Sequence, residues 1–159
     1  MVKINILCVG KIKEKFLIDG IKEYEKRLSK YAKITIKEVD DEKIPLKSNE
    51  TIDEQVKIKE SNKLISLINK DECNILLDVY GNKWSSEILA LKIGSTIDAG
   101  KTITFIIAGS LGPSDELRKL VPTKLSLSDM TFTHQMTRLI LLEQIYRGFK
   151  INNNETYHK

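Results

Sequence analysis

Apolar positions along the chain follow two rhythms in turn. Ile4 to Val9 is a short run that ends at Gly10, which predicts a buried strand. Leu17, Ile21, Tyr24, Leu28 and Tyr31 then recur at spacings of four and three, which predicts a helix. Ala32 to Val39 alternates imperfectly with Lys33, Thr35 and Lys37, the pattern of an edge strand. The polar stretch 40–50 contains Pro45 and reads as a loop, and Thr51 with Glu54 forms a capping box ahead of Val56, Leu64, Leu67 and Ile68. Asn74 to Tyr80 is a third strand closed by Gly81, and Ser85 or Ser86 caps a helix that ends at Gly100. Thr102 to Ala108 is the most continuous apolar run, as a central strand covered on both faces requires. A glycine-rich turn (109–113), a short helix (114–120), a weak strand (124–128) and a long helix from His134 to about Ile151 capped by Thr133 complete the pattern, and the tail NNNETYHK follows.

Strands alternating with helices over the whole length predict an α/β fold with a mostly parallel sheet and helices on both faces. No linker, repeat or low-complexity stretch interrupts it, so residues 1–159 read as one domain. At 159 residues with 41% hydrophobic content, the chain can bury enough surface to need neither disulfides nor a structural metal. Cys8 and Cys73 sit in apolar runs without C-x-x-C spacing and read as core residues of a reducing compartment. No apolar stretch reaches the ~20 residues of a membrane span, so a cytoplasmic protein without membrane attachment is expected. The net charge of +4 permits an anionic partner without requiring one.

Several familiar chemistries are excluded. Gly100-Lys101-Thr102 ends like a phosphate-binding loop, but the nearest upstream glycine is misplaced and the segment runs from helix to strand, the reverse of a P-loop. No G-x-G-x-x-G fingerprint follows the first strand. Two histidines and two scattered cysteines provide no metal set and no nucleophile triad.

Two loops remain as candidate sites. Gly109 and Gly112 follow the central strand, where open α/β sheets bind ligands and where glycine allows close approach to the backbone; a plain tight turn explains them equally well. The stretch 127–136 places hydroxyls, Met130 and His134 between a strand end and a helix start, and for His134 a structural role outweighs a catalytic one. The last helix is apolar on more than one side, which predicts a central position or, as the favoured reading, a dimer interface. Arg138 and Arg147 share roughly one side of it and either grip a phosphate or form a solvated pair. Lys11, Lys13, Lys15, Lys22, Lys26, Arg27 and Lys30 give the N-terminal third a basic bias suited to a nucleic-acid backbone, although such charges are usually only a solvated face. Tyr157 and His158 place an aromatic ring and an imidazole in the polar tail, with fraying as the plain alternative.

VGK at 9–11, EYEKRL at 23–28, AGSLG at 108–112, SDMTFTHQMTRLILLEQIYRGFKI at 128–151 and the final YHK together resemble the RlmH family, the bacterial 23S ribosomal RNA pseudouridine N3-methyltransferases of the SPOUT superfamily. The resemblance spans the chain and is most specific in its last quarter. It implies an S-adenosyl-L-methionine-dependent homodimer with a C-terminal trefoil knot, which methylates N3 of a pseudouridine in 23S rRNA on the assembled ribosome without a metal. Carried over by position, it implies a donor site at Leu77, Ala108, Gly109, Leu127, Ser128, Asp129, Met130, Thr131 and Phe132. The implied catalytic groups are His158 as proton acceptor or base contact, Tyr157 against the base and Arg138 for developing charge or phosphate. Ala108, Thr133 and Asn154 depart from the family's usual Gly, Pro and Gly, and none removes a polar group that the chemistry needs. Rival readings are a SPOUT enzyme acting on tRNA, a non-catalytic ribosome-associated relative and, apart from the resemblance, a flavodoxin-like binder.

Overall fold

The computed structural model describes residues 1–159, which fold around one five-stranded sheet. In chain order the elements are β1 (Val2–Val9), α1 (Lys15–Leu28), β2 (Ala32–Val39), α2 (Glu50–Ile65), β3 (Cys73–Lys83), α3 (Ser86–Asp98), β4 (Ile103–Ile107), α4 (Asp115–Leu120), β5 (Lys124–Ser126) and α5 (His134–Asn152). The strand order is β2-β1-β4-β3-β5 and every pairing is parallel. β4 is central and wholly buried and β2 lies at an edge, both as expected.

Alternation within the apolar strands divides the core in two. Ile4, Ile6 and Cys8 of β1, with Ile103, Phe105 and Ile107 of β4, face α1, α3 and α5. Leu7, Val9, Ile106 and Ala108 face α2 and α4, where Leu64 and Leu117 are fully buried. Successive strand residues point to opposite faces, so covering both faces turns each strand into a continuous apolar run.

Four local expectations are corrected. α1 stops at Leu28, so Tyr31 lies outside it and stacks on Phe149 of α5, with ring centroids 5.4 Å apart. α2 is capped by Asn49, whose side chain accepts the Ile52 N–H at 2.9 Å, and it ends at Ile65, before Leu67 and Ile68. Asn binds a helix's first-turn N–H groups at least as well as Thr, so the earlier cap wins over the Thr51–Glu54 box. β3 continues through Gly81 to Lys83, with a register break between Leu77 and Asn82. A Cβ at Gly81 would come within 2.8 Å of the Lys124 backbone, so glycine there permits a close strand approach and is no stop. β5 ends at Ser126, which frees 127–133 as a loop.

α5 packs between α1 and α3, with Leu141, Leu142, Ile145 and Phe149 buried. Its apolar breadth therefore has an explanation within one chain, unlike the interface favoured from the pattern alone. Thr133 caps it as expected, accepting from Met136 N at 3.2 Å, and Asn154 takes the left-handed conformation with φ of 54°. No helix is long and apolar enough to cross a membrane.

Candidate functional site

The carboxyl ends of β3, β4 and β5 open into a cleft of about 790 Å³, within the size range of small-molecule sites. One wall is the 109–113 turn, in which Gly112 has φ of 82°, and the other is the loop after β5. The N-terminus of α5 contributes His134, Gln135 and Thr137. The two candidate loops are thus brought together across one space.

Every residue of the expected donor site except Asp129 lines this cleft. Leu77, Leu127 and Phe132 give it apolar surface, and Ala108 and Gly109 present backbone at the end of the central strand. Asp129 points outward, 81% exposed, and pairs with Lys83 at 2.7 Å. Such an exposed pair contributes little to stability.

Polar residues that sequence reasoning missed also reach the cleft. Asp78, with its side chain 1% exposed, pairs with Arg118 at 2.8 Å, and Arg118 lies 5.5 Å from the Tyr80 ring centroid. The available signal was a lone aspartate inside the apolar run NILLDVY. His134 lines the cleft while its Nδ1 is buried without a partner. Burial first, and then the Arg138 charge, lower its pKa from the ordinary 6.5. The imidazole is therefore neutral at pH 7.

A depressed histidine binds fewer protons when folded than when unfolded, so its contribution is present above the ordinary value and is lost as pH falls from there through the lower folded value. In a His158→Gln background, NMR titration of the remaining imidazole gives a midpoint below 6.5, with part of the stability loss over the same range. A midpoint at or above 6.5 would contradict this environment.

The three expected catalytic residues lie elsewhere. Arg138 is 3% exposed: it donates to Glu38 at 2.6 Å and to the Gly10 carbonyl at 3.1 Å, and its Nε has no partner. It is therefore no member of a solvated arginine pair, and it does not line the cleft. Tyr157 and His158 dock on the distal half of α5. The Tyr157 hydroxyl donates to Glu143 at 3.2 Å, and the Arg147 guanidinium lies 4.8 Å from the ring centroid. Burial, then its bond with Tyr24, raises the Tyr157 pKa. Arg147 meets His158 Nδ1 at 3.2 Å, and Nε2 meets Glu87 at 2.7 Å. Arginine can only donate, so Nδ1 accepts, and Nε2–H donates to the carboxylate. His134 and Arg147 are thirteen residues apart on one helix, about 20 Å. Within one chain the tail cluster and the cleft are separate.

Comparison with known proteins agrees with this architecture. A family model described as "Predicted SPOUT methyltransferase" matches residues 2–158. A protein named Ribosomal RNA large subunit methyltransferase H from Acetivibrio thermocellus is 51% identical over 158 residues, covering 99% of each chain. One of the same name from Desulforamulus reducens is 50% identical over 160 residues, covering both chains fully. A solved structure from Legionella pneumophila, described as a methyltransferase with bound S-adenosylmethionine, shares the fold at a TM-score of 0.51 and 12% identity, over 93% of this chain and 66% of that one. With its full length matched, the chain belongs to the SPOUT methyltransferases, in the family of the large-subunit ribosomal RNA methyltransferase H proteins.

Proposed function

We propose that this protein transfers a methyl group from S-adenosyl-L-methionine to N3 of a pseudouridine in 23S rRNA, acting on the assembled ribosome in the cytoplasm as a homodimer. The observation that carries the reading is the single cleft formed by Leu77, the Ala108–Gly109 backbone and the 127–132 loop. Its volume and apolar walls suit an adenosyl group. The trefoil knot expected of the family would place these loops side by side. S-adenosylmethionine supplies, when bound, a methyl group on positively charged sulfur.

The chain's own residues divide the remaining work. The leucines of the cleft exclude water, and the tail cluster positions the base. Tyr157 offers a ring for stacking and a hydroxyl for hydrogen bonding. His158 accepts the N3 proton at Nδ1 once the Arg147 bond is released. Arg147, half-buried beside both, is better placed than Arg138 to stabilise developing negative charge. Arg138 acts instead as a positioning residue that ties α5 to β1 and β2. No step of this reading needs a metal.

A second copy is the simplest way to bring a tail cluster to a cleft that lies about 20 Å away along α5. Lys11, Lys13, Lys22, Lys26 and Lys30 are exposed and unpaired, a surface for RNA phosphates. On this reading the folded particle supplies the rest of the recognition. Mass spectrometry of the product nucleoside tests the substrate: N3-methylpseudouridine is expected, and a methylated nucleoside of another kind would contradict the reading.

A further inference from the structure

Beyond Gly109, on the far side of the turn from the apolar cleft wall, lies a second cavity of about 320 Å³. It shares Gly109, Ser110 and His134 with the cleft, so the two spaces adjoin at the end of the central strand. Its floor is Glu60 of α2, only 5% exposed. Glu60 Oε2 accepts the Glu42 N–H at 3.0 Å, and Oε1 has no protein donor. A Cβ at residue 109 would come within 2.5 Å of that oxygen, so the carboxylate fills the space that a side chain there would take.

No cation pairs directly with Glu60, and the Lys63 charge offsets its burial only in part. The nearby Lys63 is committed to the Asp40 carbonyl at 2.9 Å and to Glu42 at 3.0 Å. Asp41 and Glu42 also line the cavity, and Lys43, which is exposed, is the one basic residue there. Burial raises the Glu60 pKa, and the Asp41 charge adds to the effect. A buried carboxylate without a positive partner is costly, and a ligand that brings a cation with N–H donors offsets that cost. The neutral His134 across the cavity presents no competing positive charge.

We propose that Glu60, supported by Asp41, receives the α-ammonium group of the methyl donor's amino-acid end. This rests on the donor reading above and deepens it. The adenosyl part occupies the apolar cleft, the sulfur lies near Gly109, and the ammonium reaches the free Oε1. Glu60 is then the residue that distinguishes a donor with an amino-acid end from a bare thioether nucleoside.

Calorimetric binding of three uncharged-sulfur probes tests this: S-adenosylhomocysteine, its decarboxylated form with an aminopropyl chain, and 5′-methylthioadenosine. The wild-type protein binds both ammonium-bearing probes at least about tenfold more tightly than methylthioadenosine, the scale of one charge-assisted buried bond. Glu60→Gln abolishes that preference while methylthioadenosine affinity, which also reports folding, stays unchanged. Asp41→Asn, at an exposed position, lowers the preference to a smaller degree and covers the case in which the Glu60 variant does not fold. Equal binding of the aminopropyl and methyl probes to the wild type, or a preference surviving both substitutions, would overturn the assignment. Failure of the wild type to bind any of the three would refute the donor reading itself.

Discussion

Deleting residues 157–159 abolishes methyl transfer, by at least about a hundredfold, and leaves methyl-donor affinity unchanged. The magnitude is that of losing a proton acceptor together with a base contact. Donor affinity survives because no tail residue lines the cleft. The tail is anchored by bonds to side chains of α1, α3 and α5, so the deletion exposes Glu143 and Arg147 without opening the core. A two-copy site adds a sharper expectation. Tail-deleted protein mixed with a Gly109→Val variant, each inactive alone, recovers about a quarter of wild-type activity, because half of the dimers are mixed and each has one intact composite site. Full turnover by the deleted protein would refute the tail's role, and no recovery on mixing would refute the exchange between copies.

The second large effect is on stability. Arg138→Ala costs roughly 2–4 kcal/mol in chemical denaturation, at the low end for a broken buried pair because Glu38 keeps partial access to water. The arginine joins three elements: its own helix, the end of β1 through the Gly10 carbonyl, and the end of β2 through Glu38. Gly10 itself has φ of 81° and donates to the Val39 carbonyl at 2.7 Å, so the loss also loosens the strand ends beside His134. Donor affinity measured well below the denaturation midpoint falls only modestly. Unchanged stability with lost turnover would instead return Arg138 to the catalytic role first expected for it.

How much was legible follows from the range of the interactions involved. The buried strands β1 and β4 were readable because covering both faces writes an unbroken apolar run into the sequence. The first cleft loop was readable because glycines at the end of a central strand are a local signal, whereas the second showed only hydroxyls, Met130 and His134 between a strand end and a helix start. Gly81 misled because glycine marks both a stop and a close approach, and only its partner strand distinguishes them. Arg138 and Glu60 were not legible as buried charges: the partner of the first is 100 positions away, and the second is set against Gly109 by the packing of α2. The polar tail resembled a frayed end except through family resemblance, since its partners Tyr24, Glu87, Glu143 and Arg147 are dispersed over three helices.

The central claim is tested most directly by transfer of labelled methyl from S-adenosylmethionine to ribosomes that lack the modification, with naked rRNA and bulk tRNA in parallel. The account predicts label on the ribosomes alone, at a pseudouridine of the large-subunit RNA. Label on tRNA alone, or none on any substrate despite donor binding, would contradict it.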